Sequence, residues 1–428
     1  MDAYTILNPT SYRIYTTFIG EDQAYLSAAV MDENADPLTA CREMYGRLTS
    51  ILKQMEMQII HEQLYGSVSI RADILKAREN VMHKQGIYEE IPITYIQGHP
   101  LWGEGFAGVQ IYAFKPARSE DKIWTIHDGR IPYGRGWKRR GTTFLMLQNV
   151  HGFQKESTID NDREEQTIRM FDRANRLLLS QGATYRNVVR TWIYLSDILD
   201  WYGKFNRVRN TKYKEFNLIP IKSNSIETEQ IYLPASTGIE GDNPFGAAVI
   251  MDVLAIIQEP GSQIEIVQNT GRKQRSPYRY GSAFSRSIII REPDSSQLYV
   301  SGTASIDEEG KTLFPGNPRA QIQQTFDIVN ALIKRENASL RDICHATVFL
   351  KKRDDIPIYR DVVQSYGLQE MPAICMIADI CRDDLLFELD AIVAVENGRR
   401  KNMIARVCEA HQIESVPEVL VHSEKDHN

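Results

Sequence analysis

At 428 residues the chain has room for roughly two to four domains, and its 25% charged and 9% aromatic residues are those of an ordinary globular protein. A net charge of −6 gives no overall field that would gather nucleic acid or an anionic membrane, and no run approaches the ~18 apolar residues of a membrane span. Met1-Asp2-Ala3-Tyr4 is neither a basic nor an apolar start, so a cytoplasmic protein is expected. Five scattered cysteines (Cys41, Cys344, Cys375, Cys381, Cys408) contain no CxxC pair, and the nine histidines form no HExxH pair. Neither GxSxG nor a Walker-type glycine loop is present, so no metal, cofactor or serine triad is expected.

The first predicted helix carries Leu38, Cys41, Met44, Leu48, Ile51 and Met55 at helical spacing. A strand from Leu64 to Ile70, a helix from Asp73 to Met82 and a strand from Val109 to Phe114 follow. The run Arg135-Gly136-Trp137-Lys138-Arg139-Arg140 interleaves an aromatic with cations as a nucleic-acid patch does, but on an acidic chain it reads as a solvated loop or a lid over an anionic substrate. Ile168, Phe171, Asn175 and Leu178 mark the next helix, Val188 to Leu195 an apolar strand, and a further helix precedes the strand holding Asp252. In the last third, a Leu298 to Ser301 strand ends in a Gly302-Thr303-Ala304-Ser305 turn. Ile322, Phe326, Val329 and Ile333 give a helix and Ile343 to Leu350 a strand. Asp355 can cap the next helix, with Pro357 in its first turn, and Leu385 to Asp390 is the final strand. The charged tail from Arg399 reads as a helix that frays.

Sliding the chain on itself sets Asn175 on Asn330 and Leu195 on Leu350, a constant offset of 155 that also matches Gln166/Gln321, Phe171/Phe326 and Asp172/Asp327. The first 118 residues carry the same order of elements more faintly. Three modules are expected, at 1–118, 119–270 and 271–398, with the tail at 399–428. Each is α/β in composition and α+β in arrangement, a mixed sheet with helices on one face. Three such sheets bury their free faces against one another, and clefts form at the seams.

This pattern resembles the RidA/YjgF superfamily, whose members are trimers with sites at subunit interfaces; one chain with three copies would be an intrachain pseudo-trimer. A more specific resemblance is to the chorismatases of that superfamily. It rests on Arg190-Thr191-Trp192, Tyr202 to Arg209 (YGKFNRVR), Pro234 to Gly238 (PASTG), Tyr278 to Ser287 (YRYGSAFSRS), Ser301 to Ile306 (SGTASI) and Ala378 to Glu388 (ADICRDDLLFE). These blocks span about residues 185 to 395. The resemblance implies an enzyme that removes the enolpyruvyl group of chorismate as pyruvate, with protonation of the enol ether methylene carbon as the step that needs an acid.

Glu388 matches the family's catalytic glutamate. Apolar neighbours on its strand could raise its pKa, although a glutamate on a strand is ordinarily solvated. Ile250 stands at the corresponding place in the second copy and the first copy has no carboxylate in Val109 to Phe114, so one acid site per chain is expected. A dianionic substrate needs fixed cations. Arg209 and Tyr202 match family positions, Arg279 and Arg286 are the third module's candidates, and Thr303 offers donors near a ligand. Cys381 is at a position where the resemblance associates cysteine with release of 3-hydroxybenzoate. Partners beyond a small dianionic molecule are not expected, and the chain reads as a monomer or small homo-oligomer. Two other readings stay open: an enamine or imine hydrolase or RNA-cleaving relative, and a ligand-binding protein without catalysis. The superfamily's deaminases carry a carboxylate-binding arginine after a proline, where Met371-Pro372-Ala373-Ile374 stands here.

Overall fold

The computed structural model describes residues 11–101, 105–154, 162–219, 231–269, 283–398 and 402–411. In chain order, β1 (Tyr12–Ile19), β2 (Gln23–Val30), α1 (Pro37–Gln54), β3 (Gln58–Gly66), α2 (Arg71–Lys84), β4 (Thr94–Gln97), β5 (His99–Pro100) and β6 (Phe106–Phe114) come first. Then come β7 (Lys122–Asp128), β8 (Ile131–Arg139), β9 (Thr142–His151), α3 (Arg163–Ser180), β10 (Val188–Leu195), α4 (Ile198–Glu215), β11 (Ala235–Glu240) and β12 (Val249–Gln258). The last group is β13 (Glu265–Asn269), β14 (Ser287–Arg291), β15 (Ser295–Ala304), α5 (Pro318–Ile333), β16 (Ile343–Leu350), α6 (Ile356–Ser365), β17 (Ala373–Ile377), β18 (Phe387–Glu396) and β19 (Ile404–His411).

The long helices α1, α3 and α5 start alike. Asp36, Asp162 and Asn317 each accept a backbone N–H of the first turn through the side chain, and proline opens α1 and α5. Asp355 is at the start of α6, but its side chain makes no capping bond there.

The strands form three mixed sheets, ordered β19-β1-β2-β6-β3-β4, β11-β10-β12-β9-β8-β7 and β13-β14-β15-β18-β16-β17-β5. Each has one parallel pair beside antiparallel ones (β3/β4, β10/β11, β16/β17), the repeated arrangement the sequence led us to expect. Strand parity divides the cores. On β10, Ile193 and Leu195 pack under the second module's helices, whereas Trp192 and Tyr194 join a core shared by all three sheets. On β18, Phe387, Leu389 and Ala391 face helices, and Ile392 and Ala394 face the shared core.

Three expectations are corrected. Residues 404–411 are a strand, not a helix: β19 pairs antiparallel with β1 along its whole length, giving the otherwise open edge of the first sheet a partner. The Arg135 to Arg139 run is not a solvated loop or lid but part of β8, in the second sheet. Its cations are neutralised by carboxylates far away in sequence, Arg135 by Glu89 and the buried Arg139 by Asp22 and Glu292, so they tie the three modules together. Gly302 to Ala304 is strand rather than turn, with a register shift between Val300 and Thr303 where β15 meets β18.

Candidate active site

Alternation along β18 decides where Glu388 goes. Phe387 and Leu389 point into the third module's own core, so Glu388 and Asp390 point to the inter-sheet side, each 4% exposed. Glu388 reaches a cavity between β11 and α4 of the second module and β15 and β18 of the third, lined also by Ser236, Gly238, Phe284 and Arg382. The two sheets are stitched there by a bridge between Ala235 and Ser285 and by the Ser236 N–H donating to Ser301 Oγ at 2.8 Å. Gly302 makes the space: a Cβ at that position would stand 2.1 Å from Glu388 Oε1.

No hydrogen bond reaches the Glu388 carboxyl among the described residues. Burial, with the Asp390 charge adding to it and Arg190 opposing, pushes its pKa up to about 8. The group is therefore an acid that keeps its proton at neutral pH. Cys381 on the same wall is likewise held as a thiol, pushed up to about 12 by burial and the neighbouring Glu388.

Opposite the acid are the cations. Arg209, 1% exposed, donates to Asn206 Oδ1 at 2.6 Å, while its Nε is buried without a hydrogen-bond partner. The Phe284 ring has the guanidinium carbons of Arg209 and Arg286 each 5.7 Å from its centroid. Tyr202 stacks on Phe205, centroids 6.0 Å apart, and Arg382 donates to the Gly310 carbonyl. A carboxylate entering this seam meets planar donors suited to bidentate bonds. The cavity is small, about 50 Å³, whereas larger ones of about 620 and 310 Å³ lie elsewhere. Chemistry rather than size marks the site.

Beneath Glu388 lies a buried polar network, in which Arg190 Nε and Nη1 have no hydrogen-bond partner among the described residues. Arg190, fully buried, contacts Asp390 at 2.7 Å and donates to Thr237 Oγ1 at 2.6 Å; Thr237 donates to Asp390 at 2.7 Å and accepts the Gly302 N–H at 2.9 Å. Strand register makes this one of three equivalent positions. Arg190 corresponds to His61 and His345, Asp390 to Asp252 and Gln110, and Thr237 to Thr94 and Ile374. Between the first and second modules, His61 Nε2 is 2.9 Å from Asp252 and Thr94 donates to Asp252 at 2.7 Å. Between the third and first, Gln110 donates to the Ala346 carbonyl at 2.7 Å, and His345 is pushed down to about 3 by burial, with His61 and Arg190 opposing its protonation. The residues matching Glu388 at these seams are Ile250, fully buried, and Gly108.

The structure thus brings Tyr202, Arg209, Arg286, Cys381 and Glu388 to one cavity. Thr303 faces away, its hydroxyl donating to the Ser301 carbonyl at 2.7 Å. Arg279 lies outside the described residues. Sequence reasoning passed over Arg190, Thr237 and Asp390 as site residues. Two signals could have found them: Asp390 is two positions beyond Glu388 on one strand face, and a lone arginine in Val188 to Leu195 needs a buried partner.

Comparison with known proteins agrees with this architecture. The Endoribonuclease L-PSP family model matches residues 282–395. A chorismatase of Streptomyces rapamycinicus is 27% identical over 229 residues, 49% of this chain and 65% of the relative. A 3-hydroxybenzoate synthase of Streptomyces hygroscopicus is 24% identical, over 49% of this chain and 64% of the relative. The chain thus matches just under two thirds of the length of these curated relatives. The 3-aminoacrylate deaminase RutC of Acinetobacter baylyi is 26% identical over 99 residues, 23% of this chain and 79% of the relative. A chorismatase crystal structure superposes with a TM-score of 0.53 at 19% identity, covering 78% of this chain and 92% of that one, a likeness of fold. About half of the chain is thus similar to curated chorismatases, and residues 282–395 match the Endoribonuclease L-PSP family.

Proposed function

We propose that this protein cleaves chorismate, with Glu388 protonating the methylene carbon of the enol ether and pyruvate and a 3-hydroxybenzoate-type product being released. One observation carries the reading: a buried carboxyl without a hydrogen-bond partner among the described residues, protonated near neutral pH, faces the guanidinium groups of Arg209 and Arg286 across a seam. Carbon is a weak base, so the acid must be pressed against it while still holding its proton. The transfer forms a C–H bond and leaves an oxocarbenium ion at the adjacent carbon. Capture by water leads to a dihydroxylated diene acid and consumes one water. Capture by the neighbouring ring hydroxyl leads to 3-hydroxybenzoate, which together with pyruvic acid is isomeric with chorismic acid. In either case a proton released later restores Glu388. The name of one relative, a 3-hydroxybenzoate synthase, and the resemblance that associates a cysteine at position 381 with that product favour the second branch.

Arg209, Arg286 and Tyr202 would hold the carboxylates, and Arg190 and Asp390 would set the position and protonation of Glu388. Chorismate exceeds the cavity, so binding turns Phe284 or Arg382 outward. The same reading divides the chain at residues 118, 270 and 398, with the acid in the third module. Enamine hydrolysis is less well supported, because the position after Pro372-Ala373 is the buried Ile374, which offers a carboxylate no cation. Incubating the protein with chorismate and identifying products by mass tests the proposal. Pyruvate and 3-hydroxybenzoate in equal amounts are expected, with turnover at least ~100-fold lower in Glu388→Gln. No turnover by the native chain, or near-native turnover in the variant, overturns it.

A further inference from the structure

The seam between the third and first modules holds a cavity of about 310 Å³, within the range of small-molecule sites. It is built as the candidate active site is built, one step around the repeat. α6 lines it with Tyr359, Arg360 and Gln364 as α4 lines the other with Tyr202 and Arg209, and β17 supplies Ala373 and Cys375 at the register positions of Ser236 and Gly238 on β11. β1 and β2 supply Arg13, Tyr15 and Ala29 where the third module supplies Phe284, Arg286 and Ala304.

The chemistry differs in one respect. Gly108 is at the position of Glu388, and none of the residues lining the cavity is Asp, Glu or His. A carboxyl or imidazole for proton transfer is lacking there; cations are not. Arg13 Nη1 donates to the Gln369 carbonyl at a long 3.3 Å, its Nε is buried without a hydrogen-bond partner, and the guanidinium lies beside the Tyr15 hydroxyl. Glu370 is close enough to act on the Arg13 charge, and a bound anion would compete with it. Val30, Met31, Leu101, Val363 and Met371 form an apolar part of the wall, with Gln364 and Gln369 as further polar groups.

We propose that this seam is a second, non-catalytic small-molecule site that takes a monocarboxylate with a compact apolar body, its carboxylate on Arg13 and its body between β2 and α6. A cavity lined by Arg13 and by several apolar side chains suits one carboxylate on a compact apolar body. The site stands apart from Glu388, so it does not depend on the reaction proposed above.

Benzoate is a suitable probe, titrated into the full chain carrying ¹³C-methyl methionine, with Met31 and Met371 reporting locally. Saturable shifts of both resonances are expected, unchanged within twofold in affinity in Glu388→Gln and Arg209→Ala, and weakened at least tenfold in Arg13→Gln. If Arg13→Gln does not fold, Ala29→Leu, which fills the space beside its cross-strand partner Arg13, must abolish the same shifts. Lack of saturable shifts in the native chain, shifts indifferent to the seam variant, or shifts lost with Arg209→Ala each overturn the proposal. Failure of chorismate turnover alone leaves these readings intact.

Discussion

If Glu388 is the proton donor, turnover must follow its protonation, and the structure sets where that happens. With the pKa near 8, about ten in eleven molecules carry the proton at pH 7. At the ordinary value of 4.5 roughly one in 300 would. The profile of kcat/KM against pH should therefore be flat through neutrality and fall tenfold per pH step above about 8. Asp390→Asn changes this in one direction. It removes the charge that disfavours the Glu388 carboxylate and leaves Arg190 facing Glu388 instead. A unit charge about 6 Å away at an effective dielectric near 20 is worth about 3 kcal/mol, so the falling limb should move down by about one to two pH steps. Stability supplies a second readout. The folded value exceeds the unfolded one, so the folded state binds the extra proton between pH 4.5 and 8, and stability is lost as pH rises across that window. Glu388→Gln removes the linkage and should stabilise the fold by about 3 kcal/mol at pH 7, with the gap closing near pH 4.5 in urea unfolding. A limb that stays put or moves upward in Asp390→Asn would refute the assignment of Asp390 as the residue that tunes the acid.

Gly302→Ala places a methyl 2.1 Å from Glu388 Oε1, so the carboxyl must move; turnover should fall by at least ~100-fold while the melting temperature stays close to native, checked by stopped assay and calorimetry. Arg209→Ala should weaken binding of a non-reactive chorismate analogue by about 1.5 to 3 kcal/mol as charge-assisted bonds are lost, measured by titration calorimetry, whereas Glu388→Gln should leave that affinity near native. Arg139→Met strands the buried carboxylates of Asp22 and Glu292 and should destabilise the chain by about 3 to 5 kcal/mol in denaturant unfolding; a loss under 1 kcal/mol would mean that this network does not hold the modules together.

Most of the fold was legible in the sequence because it rests on local periodicity. Val188 to Leu195 and Ile343 to Leu350 coincide with β10 and β16, and the offset of 155 also carries Asp162 onto Asn317, the caps of α3 and α5. What escaped depends on pairing between distant segments. Ile404 to His411 reads as a charged tail until β1 lies beside it, and Arg139 reads as solvated until Asp22 and Glu292 meet it from two other sheets. At the site, Glu388, Arg209, Arg286 and Tyr202 were named through resemblance, since nothing local brings residues of two modules together. Thr303 was named with them because Gly302 to Ser305 looked like a turn. In a strand, parity sends its hydroxyl the other way.

The repeat also explains why three seams differ in chemistry while sharing a backbone. At each, a strand of one sheet presents a position two residues before a polar anchor, and that position alone decides whether an acid is present: Glu388, Ile250 or Gly108. At the first two seams the anchor is a carboxylate, held by Arg190 and Thr237 or by His61 and Thr94. At the third it is Gln110, opposite Ile374 and a neutral His345. An acid placed over that third anchor would lack both the neighbouring negative charge that raises its pKa and the arginine that holds that charge in place. Introducing glutamate at Gly108 would also collide with the Ala28 carbonyl, 2.2 Å from where its Cβ must go. At the seam that holds Glu388, room beside Gly302 and a paired aspartate beneath it are both present.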